Sequence, residues 1–179
     1  MNVRMERVSV IDDFLPSEDF SDIQNIFLTS SNVNWFFYPY ITFMDSQTEN
    51  PKDFQFVHMI YDSNSGILSN YFQSISKLFF DKLGVYALLR IKANLNPCSN
   101  EVLPREFHTD FVGNVVKHST TSIYYINTNN GYTLFEDGTK IESVANRLVT
   151  FPSYLKHTGT SCTDQKARIV LNFNYFTHD

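Results

Sequence analysis

The spacing of apolar residues changes along this chain. In the first half they recur at helical intervals. Phe20, Ile23 and Phe27 follow Pro16-Ser17, with Glu18 and Asp19 placed in a first turn where carboxylates favour the helix dipole. Leu68, Phe72, Ile75, Phe79 and Leu83 form a second stripe, and Gly84 is placed to end that helix as a C′ glycine. Both stripes read as packing faces against a sheet. Between them, Trp35-Phe36-Phe37-Tyr38-Pro39-Tyr40 and Phe54-Gln55-Phe56-Val57-His58 are predicted to be strands that extend it.

From Phe107 onwards the period is two, and no helix is predicted. Thr121 to Asn127 is a β-branched and aromatic run, and Asn129-Asn130-Gly131 is a turn signal. Tyr132 to Phe135 is a second strand, closed by the hairpin turn Glu136-Asp137-Gly138. Strands follow over Lys140 to Val144, Asn146 to Phe151 and Arg168 to Phe176. The fold class expected is mainly β within α+β: a sandwich or barrel of jelly-roll, cupin-like type, with supporting N-terminal helices.

Composition narrows the picture. With 179 residues and 42% hydrophobic content the chain fits one domain with a real core. Residues 1–89 would be helical support and outer strands, and residues 90–179 the core. The 16% aromatic content suits a barrel filled with bulky rings. A net charge of −5 and the absence of a basic cluster in the sequence argue against nucleic acid as partner. There is no secretory h-region, no apolar stretch of membrane-spanning length and no targeting motif. Cys98 and Cys162 form no disulfide framework, so the expected location is the cytoplasm, with no membrane partner.

The candidate chemistry lies in His108-Thr109-Asp110, His157 and Arg168. Two imidazoles and one carboxylate are the protein ligands of non-haem Fe(II) oxygenase sites. On a strand, residues two apart share a face, so His108 and Asp110 would project together, roughly 7 Å apart at Cα. A third ligand must come from another strand. His157 qualifies, because it follows the apolar strand Leu148-Val149-Thr150-Phe151 that Pro152 stops. Three protein ligands leave positions open for O2 and a co-substrate. Alternation also puts Thr121, Ile123, Tyr125 and Asn127 on one face, and Arg168, Val170, Asn172 and Asn174 on another. Either these polar faces meet in a pocket, or the asparagines alternate outward to solvent. His58, His118 and His178 have no ligand-like partners and read as surface or structural residues.

These residues, in this order, resemble the 2-oxoglutarate- and Fe(II)-dependent dioxygenase superfamily, and its prolyl-hydroxylase-like branch most. The block from Arg90 to Phe176 carries the likeness, together with Val10-Ile11-Asp12-Asp13-Phe14-Leu15-Pro16 near the start. The chain also resembles small dioxygenases encoded by tailed phages, for which the compartment would be the host cytoplasm. The resemblance implies a double-stranded β-helix. It implies that His108, Asp110 and His157 bind Fe(II), and that Arg168 and Tyr125 hold the distal carboxylate of 2-oxoglutarate. Thr121 and Asn172 would face the same co-substrate. Asn94 stands about where a co-substrate-binding tyrosine is common, followed by an insertion from Cys98 to Arg105. The usual Gly-Gly-Glu-Thr stretch is reduced to Gly131-Tyr132-Thr133. Segments such as Trp35, Tyr38 and Tyr40 often line the substrate mouth in this fold.

The implied reaction uses O2 and 2-oxoglutarate to hydroxylate a substrate C–H bond. A prolyl or other protein residue is the first expectation, and a free amino acid or small metabolite the second. Two rival classes are a nucleic-acid-modifying oxygenase, which needs a basic groove, and a non-catalytic cupin-type binding protein, which has no use for Arg168.

Overall fold

A computed structural model describes residues 8–39, 54–102 and 104–178. In chain order the elements are β1 (Ser9–Ile11), α1 (Ser17–Gln24) continued by a π-turn (Asn25–Thr29), β2 (Phe36–Tyr38), β3 (Gln55–Asp62), β4 (Gly66–Ile67), α2 (Phe72–Leu83) and β5 (Val85–Pro97). A 3-10 turn (Gly113–Lys117) precedes β6 (Thr120–Tyr125), β7 (Tyr132–Phe135), β8 (Lys140–Glu142), β9 (Arg147–Pro152), β10 (His157–Gly159) and β11 (Ala167–Thr177).

The strands form two antiparallel sheets. The larger runs β1-β9-β6-β11-β5-β3-β2, with β4 added beside β3, and the smaller runs β10-β7-β8. This is the jelly-roll arrangement that the period-two stretch predicts. The 3-10 turn is the one helical piece after Phe107 among the described residues.

Alternation along β11 positions everything else. Ile169, Leu171, Phe173 and Tyr175 face the helices and join a core with Ile23, Ile75 and Phe79. Phe79 is the hub of that layer. Its ring lies 4.8 Å from Phe173 and 4.9 Å from Tyr124, centroid to centroid. Val170, on the opposite face, packs between the sheets with Ile123, Tyr125, Phe135, Val149 and Phe151.

Gly84 ends α2 with φ of 64°, a left-handed cap that costs glycine least. Leu68, by contrast, lies outside α2 and is half exposed. Its N–H donates to the Ile60 carbonyl, so the β3–β4 hairpin claims it and the helix starts only at Phe72. Among the described residues no helix is long and apolar enough to cross a membrane.

Candidate metal centre

His108 and Asp110 are not on a continuous strand. His108 forms a single bridge to His157, and Asp110 sits in the bend that follows. The strand geometry expected for the triplet is therefore replaced by one hydrogen-bonded residue pair and a turn. Thr109 makes the turn local, because its hydroxyl donates to the Phe111 carbonyl at 2.7 Å. His157 comes from the smaller sheet, at the start of β10, with its ring against Phe151. The result still brings the triad together. One ligand atom from each of His108, Asp110 and His157 lies within 4.8 Å of the others.

The protonation states fit a divalent cation. The Nδ1 atoms of His108 and His157 lie 3.3 and 3.2 Å from the Glu106 and Leu155 carbonyls. A carbonyl only accepts, so each Nδ1 carries the hydrogen and each Nε2 keeps a free lone pair for a metal. Burial lowers the pKa of His108 and takes that of His157 down to about 4, with Asp110 opposing both shifts. Both rings are therefore neutral near pH 7. Burial alone would raise the Asp110 carboxyl, but Lys92 and Arg90 outweigh it and hold the group below the usual carboxylate range.

Asp110 is held from both sides. Arg90 donates to Oδ1 at 2.9 Å, and the Lys92 ammonium lies 3.8 Å from the same oxygen. Asn172 and Asn174 donate to Oδ2 at 3.2 and 2.9 Å. Burial, and then Arg90, lower the Lys92 pKa to about 8, which leaves it cationic at neutral pH. Arg90 also stacks over the Phe111 ring, 4.6 Å from its centroid. These contacts follow from register, because Asn172 pairs with Lys92 and Asn174 with Arg90 across β11 and β5.

Arg168 lies at the other end of the same cavity. Arg168 is 2% exposed. Nε donates to Ser143 Oγ at 2.7 Å and Nη2 to Thr133 Oγ1 at 3.0 Å. The Tyr125 hydroxyl donates to that same Thr133 oxygen at 2.7 Å, and the guanidinium lies over the Tyr125 ring. Among the described residues no carboxylate pairs with Arg168. A buried charge without a counter-charge is costly, so the pocket calls for an anion. Gly131 makes room for the arginine. A Cβ there would stand 2.8 Å from Arg168 Cδ and 2.5 Å from the Ser161 carbonyl oxygen.

The other candidates separate by position. Asn94 and Asn172 line the cavity. Thr121 lies behind Asp110, where it accepts from Asn174 and bonds Ser153. Four strand positions separate it from Tyr125, so it supports the metal end rather than the arginine end. Trp35 packs against Phe27 and His58, while Tyr38 is exposed on an edge strand. Tyr40 lies outside the described residues. His58 bonds the Asn34 carbonyl and Ser69, a structural role.

Thr133 and Ser143 touch Arg168, and Arg90 and Lys92 touch Asp110, none of them among the site residues expected from the sequence. Their signal was nevertheless present. Arg90, Lys92, Asn94 and Asn96 alternate with Ile91, Ala93 and Leu95, which is the mark of a strand with one polar, inward face. The sequence shows no basic cluster, but the fold brings Lys92, Arg105 and Arg168 to one cavity, with Arg90 beside it on Asp110.

Solved structures share this architecture. A prolyl hydroxylase from Trichoplax adhaerens, bound to a fragment of the hypoxia inducible factor oxygen degradation domain, superposes with a TM-score of 0.65. It is 17% identical, over 94% of this chain and 83% of the other. An oxidoreductase of the 2OG-Fe(II) oxygenase family from Burkholderia pseudomallei gives 0.69 at 10% identity, over 96% and 86%. The fold is that of the 2OG-Fe(II) oxygenases. HygX from Streptomyces hygroscopicus, solved with nickel and 2-oxoglutarate, shares this oxygenase fold with a TM-score of 0.60 at 8% identity, over 97% and 84%. No protein-family model and no curated protein sequence matches the chain.

Proposed function

We propose that the protein is an Fe(II)- and 2-oxoglutarate-dependent dioxygenase. One observation carries the reading: an uncompensated, buried Arg168 faces the same cavity as a histidine–carboxylate–histidine triad with free Nε2 lone pairs. His108, Asp110 and His157 would hold the iron, and Arg168 the distal carboxylate of the co-substrate. The bound iron and co-substrate supply O2 activation and oxidation of a substrate C–H bond.

The chain's own residues do the positioning. Arg90, Asn172 and Asn174 fix the Asp110 carboxylate. Thr133 and Ser143 aim the Arg168 fork, whose planar donors suit a carboxylate bidentately. Phe135 and Phe151 wall off the His157 side from water. Residues 90–179 form the catalytic core and residues 1–89 its support. The enzyme acts in the cytoplasm, on a protein residue or on a small molecule.

Anaerobic titration with Fe(II) and 2-oxoglutarate tests the reading. A weak visible charge-transfer band should appear only when both are present. Its absence at saturating metal would overturn the assignment.

A further inference from the structure

The metal end of the cavity holds more positive charge than the proposed co-substrate can balance. If the dioxygenase reading holds, iron's two charges are matched by Asp110 and the near carboxylate of 2-oxoglutarate, and Arg168 is matched by the distal carboxylate. Arg90 and Lys92 are then left over. Both press on Asp110, their one carboxylate partner among the described residues. Arg90 is also covered by Phe111 and by the side chain of Asn174. Lys92 lines the cavity with its side chain 16% exposed, and Asp110 is its sole polar contact among the described residues.

A second observation points the same way. Asn172 and Asn94 line the same cavity, and the Oδ1 atom of each is buried with no hydrogen-bond partner among the described residues. The orientation of Asn172 is settled by its neighbour, because Asp110 only accepts, so the amide nitrogen must point at it and the oxygen must point away. Two buried acceptors need donors. The 2-oxoglutarate dianion has none. The missing partner therefore carries a negative group for Lys92 and an N–H or O–H donor for the asparagines.

We propose that Lys92, Asn94 and Asn172 form the recognition site for the primary substrate, a small molecule bearing a carboxylate beside an amino or hydroxyl group. The substrate class is thus a free amino acid or hydroxy acid rather than an amide-linked residue in a peptide. Lys92 receives the carboxylate. The two asparagine carbonyls receive the ammonium or hydroxyl hydrogens.

Ligand-observed NMR on the protein loaded with Mn(II) and 2-oxoglutarate tests this without turnover. The probes are the twenty free amino acids, lactate and malate, the carboxamide of each acid that binds, and N-acetyl-prolyl-amide. At least one free acid should show Mn(II)-dependent line broadening, and its carboxamide should not. Lys92→Met should weaken that acid by about thirty-fold or more, the loss of one charge-assisted contact. Lys92→Arg should keep most of the affinity, and it controls for folding. Because Lys92 also touches Asp110, Mn(II) titrated alone into each variant reads any effect on the metal end separately from the loss of the acid. The proposal is overturned if no free acid binds, if amide and acid bind alike, if the peptide mimic binds independently of Lys92, or if Lys92→Met loses 2-oxoglutarate instead. Failure of the wild type to bind 2-oxoglutarate would sink the dioxygenase reading separately. The acid titration repeated without co-substrate then still decides the role of Lys92 by the same comparison of variants.

Discussion

His108 and His157 exchange both of their backbone hydrogen bonds, each 3.0 Å long, and their ring centroids lie 5.0 Å apart. Residues from positions forty-nine apart in the chain are thus locked opposite one another as a hydrogen-bonded antiparallel pair. Two of the three proposed ligands are set by main-chain geometry rather than by their side chains. His108→Ala should therefore leave the backbone pairing and the melting temperature nearly unchanged while reducing Mn(II) affinity. The loss should exceed the roughly 10–100-fold seen when only the supports of ligands are removed. Calorimetric titration against wild type measures it, and an unchanged affinity would remove His108 from the site.

Asp110→Asn should behave differently from the histidine variant. It keeps the shape but leaves Arg90 and Lys92 beside a neutral amide. Breaking a buried ion pair from one side costs about 3–5 kcal/mol. Urea denaturation of the metal-free protein should show a drop of that order, together with lost metal binding. A variant as stable as the wild type would mean that the two cations are not held by the carboxylate.

At the other end of the cavity an order of effects is expected. Arg168→Ala should weaken 2-oxoglutarate by about 2–5 kcal/mol in the Mn(II) form and spare the metal. Tyr125→Phe should cost about 1 kcal/mol, since one hydrogen bond to Thr133 is lost. Arg168→Lys should recover only part, because a single ammonium cannot reproduce the fork. Calorimetry with all three variants checks the ranking, and equal losses from Arg168→Ala and Tyr125→Phe would contradict it.

Gly131→Ala should fail for lack of space. The new methyl would meet the Ser161 carbonyl oxygen and the stem of Arg168, an overpacking penalty of about 1–3 kcal/mol. Co-substrate affinity should fall with stability, because relief of the clash requires Arg168 to shift. Thermal melts alongside 2-oxoglutarate titration report both quantities. A fall in stability with untouched affinity would show that the backbone yields instead.

The metal-free protein should lose stability on mild acidification. His157 has a folded pKa of about 4, mainly through burial, against an ordinary value of 6.5. The unfolded chain therefore binds a proton that the folded chain refuses across this interval. The His157 contribution is complete above about pH 6.5 and disappears as pH falls towards 4, up to about 3 kcal/mol in all. Denaturation midpoints between pH 7 and 4.5 should fall more steeply in wild type than in His157→Gln. Parallel curves would assign the acid sensitivity elsewhere.

The core strands were legible because their period was clean. The Tyr132–Phe135 strand appears with the bounds expected, and Arg168 to Phe176 lengthens by one residue at each end. The triad residues and Arg168 could be picked out because their chemistry is rare in that order. What could not be read was register. That Asn172 would meet Lys92, and Asn174 meet Arg90, depends on how strands about eighty residues apart align, and no local pattern encodes that alignment. The bend at Asp110 was hidden for a similar reason, since Thr109 and the bridge to His157 override the strand that His-x-Asp spacing invites.

One feature of β11 bears on how this protein would respond to random mutation. Its odd-numbered residues Ile169, Leu171, Phe173 and Tyr175 belong to the helix-backed core, while Arg168, Asn172 and Asn174 reach the cavity or its metal end. A library across this strand should therefore sort by parity. Lesions at odd positions would lower the yield of soluble protein, and lesions at these even positions would leave well-expressed protein that no longer binds its ligands. A single strand would then report folding and chemistry through two separable phenotypes.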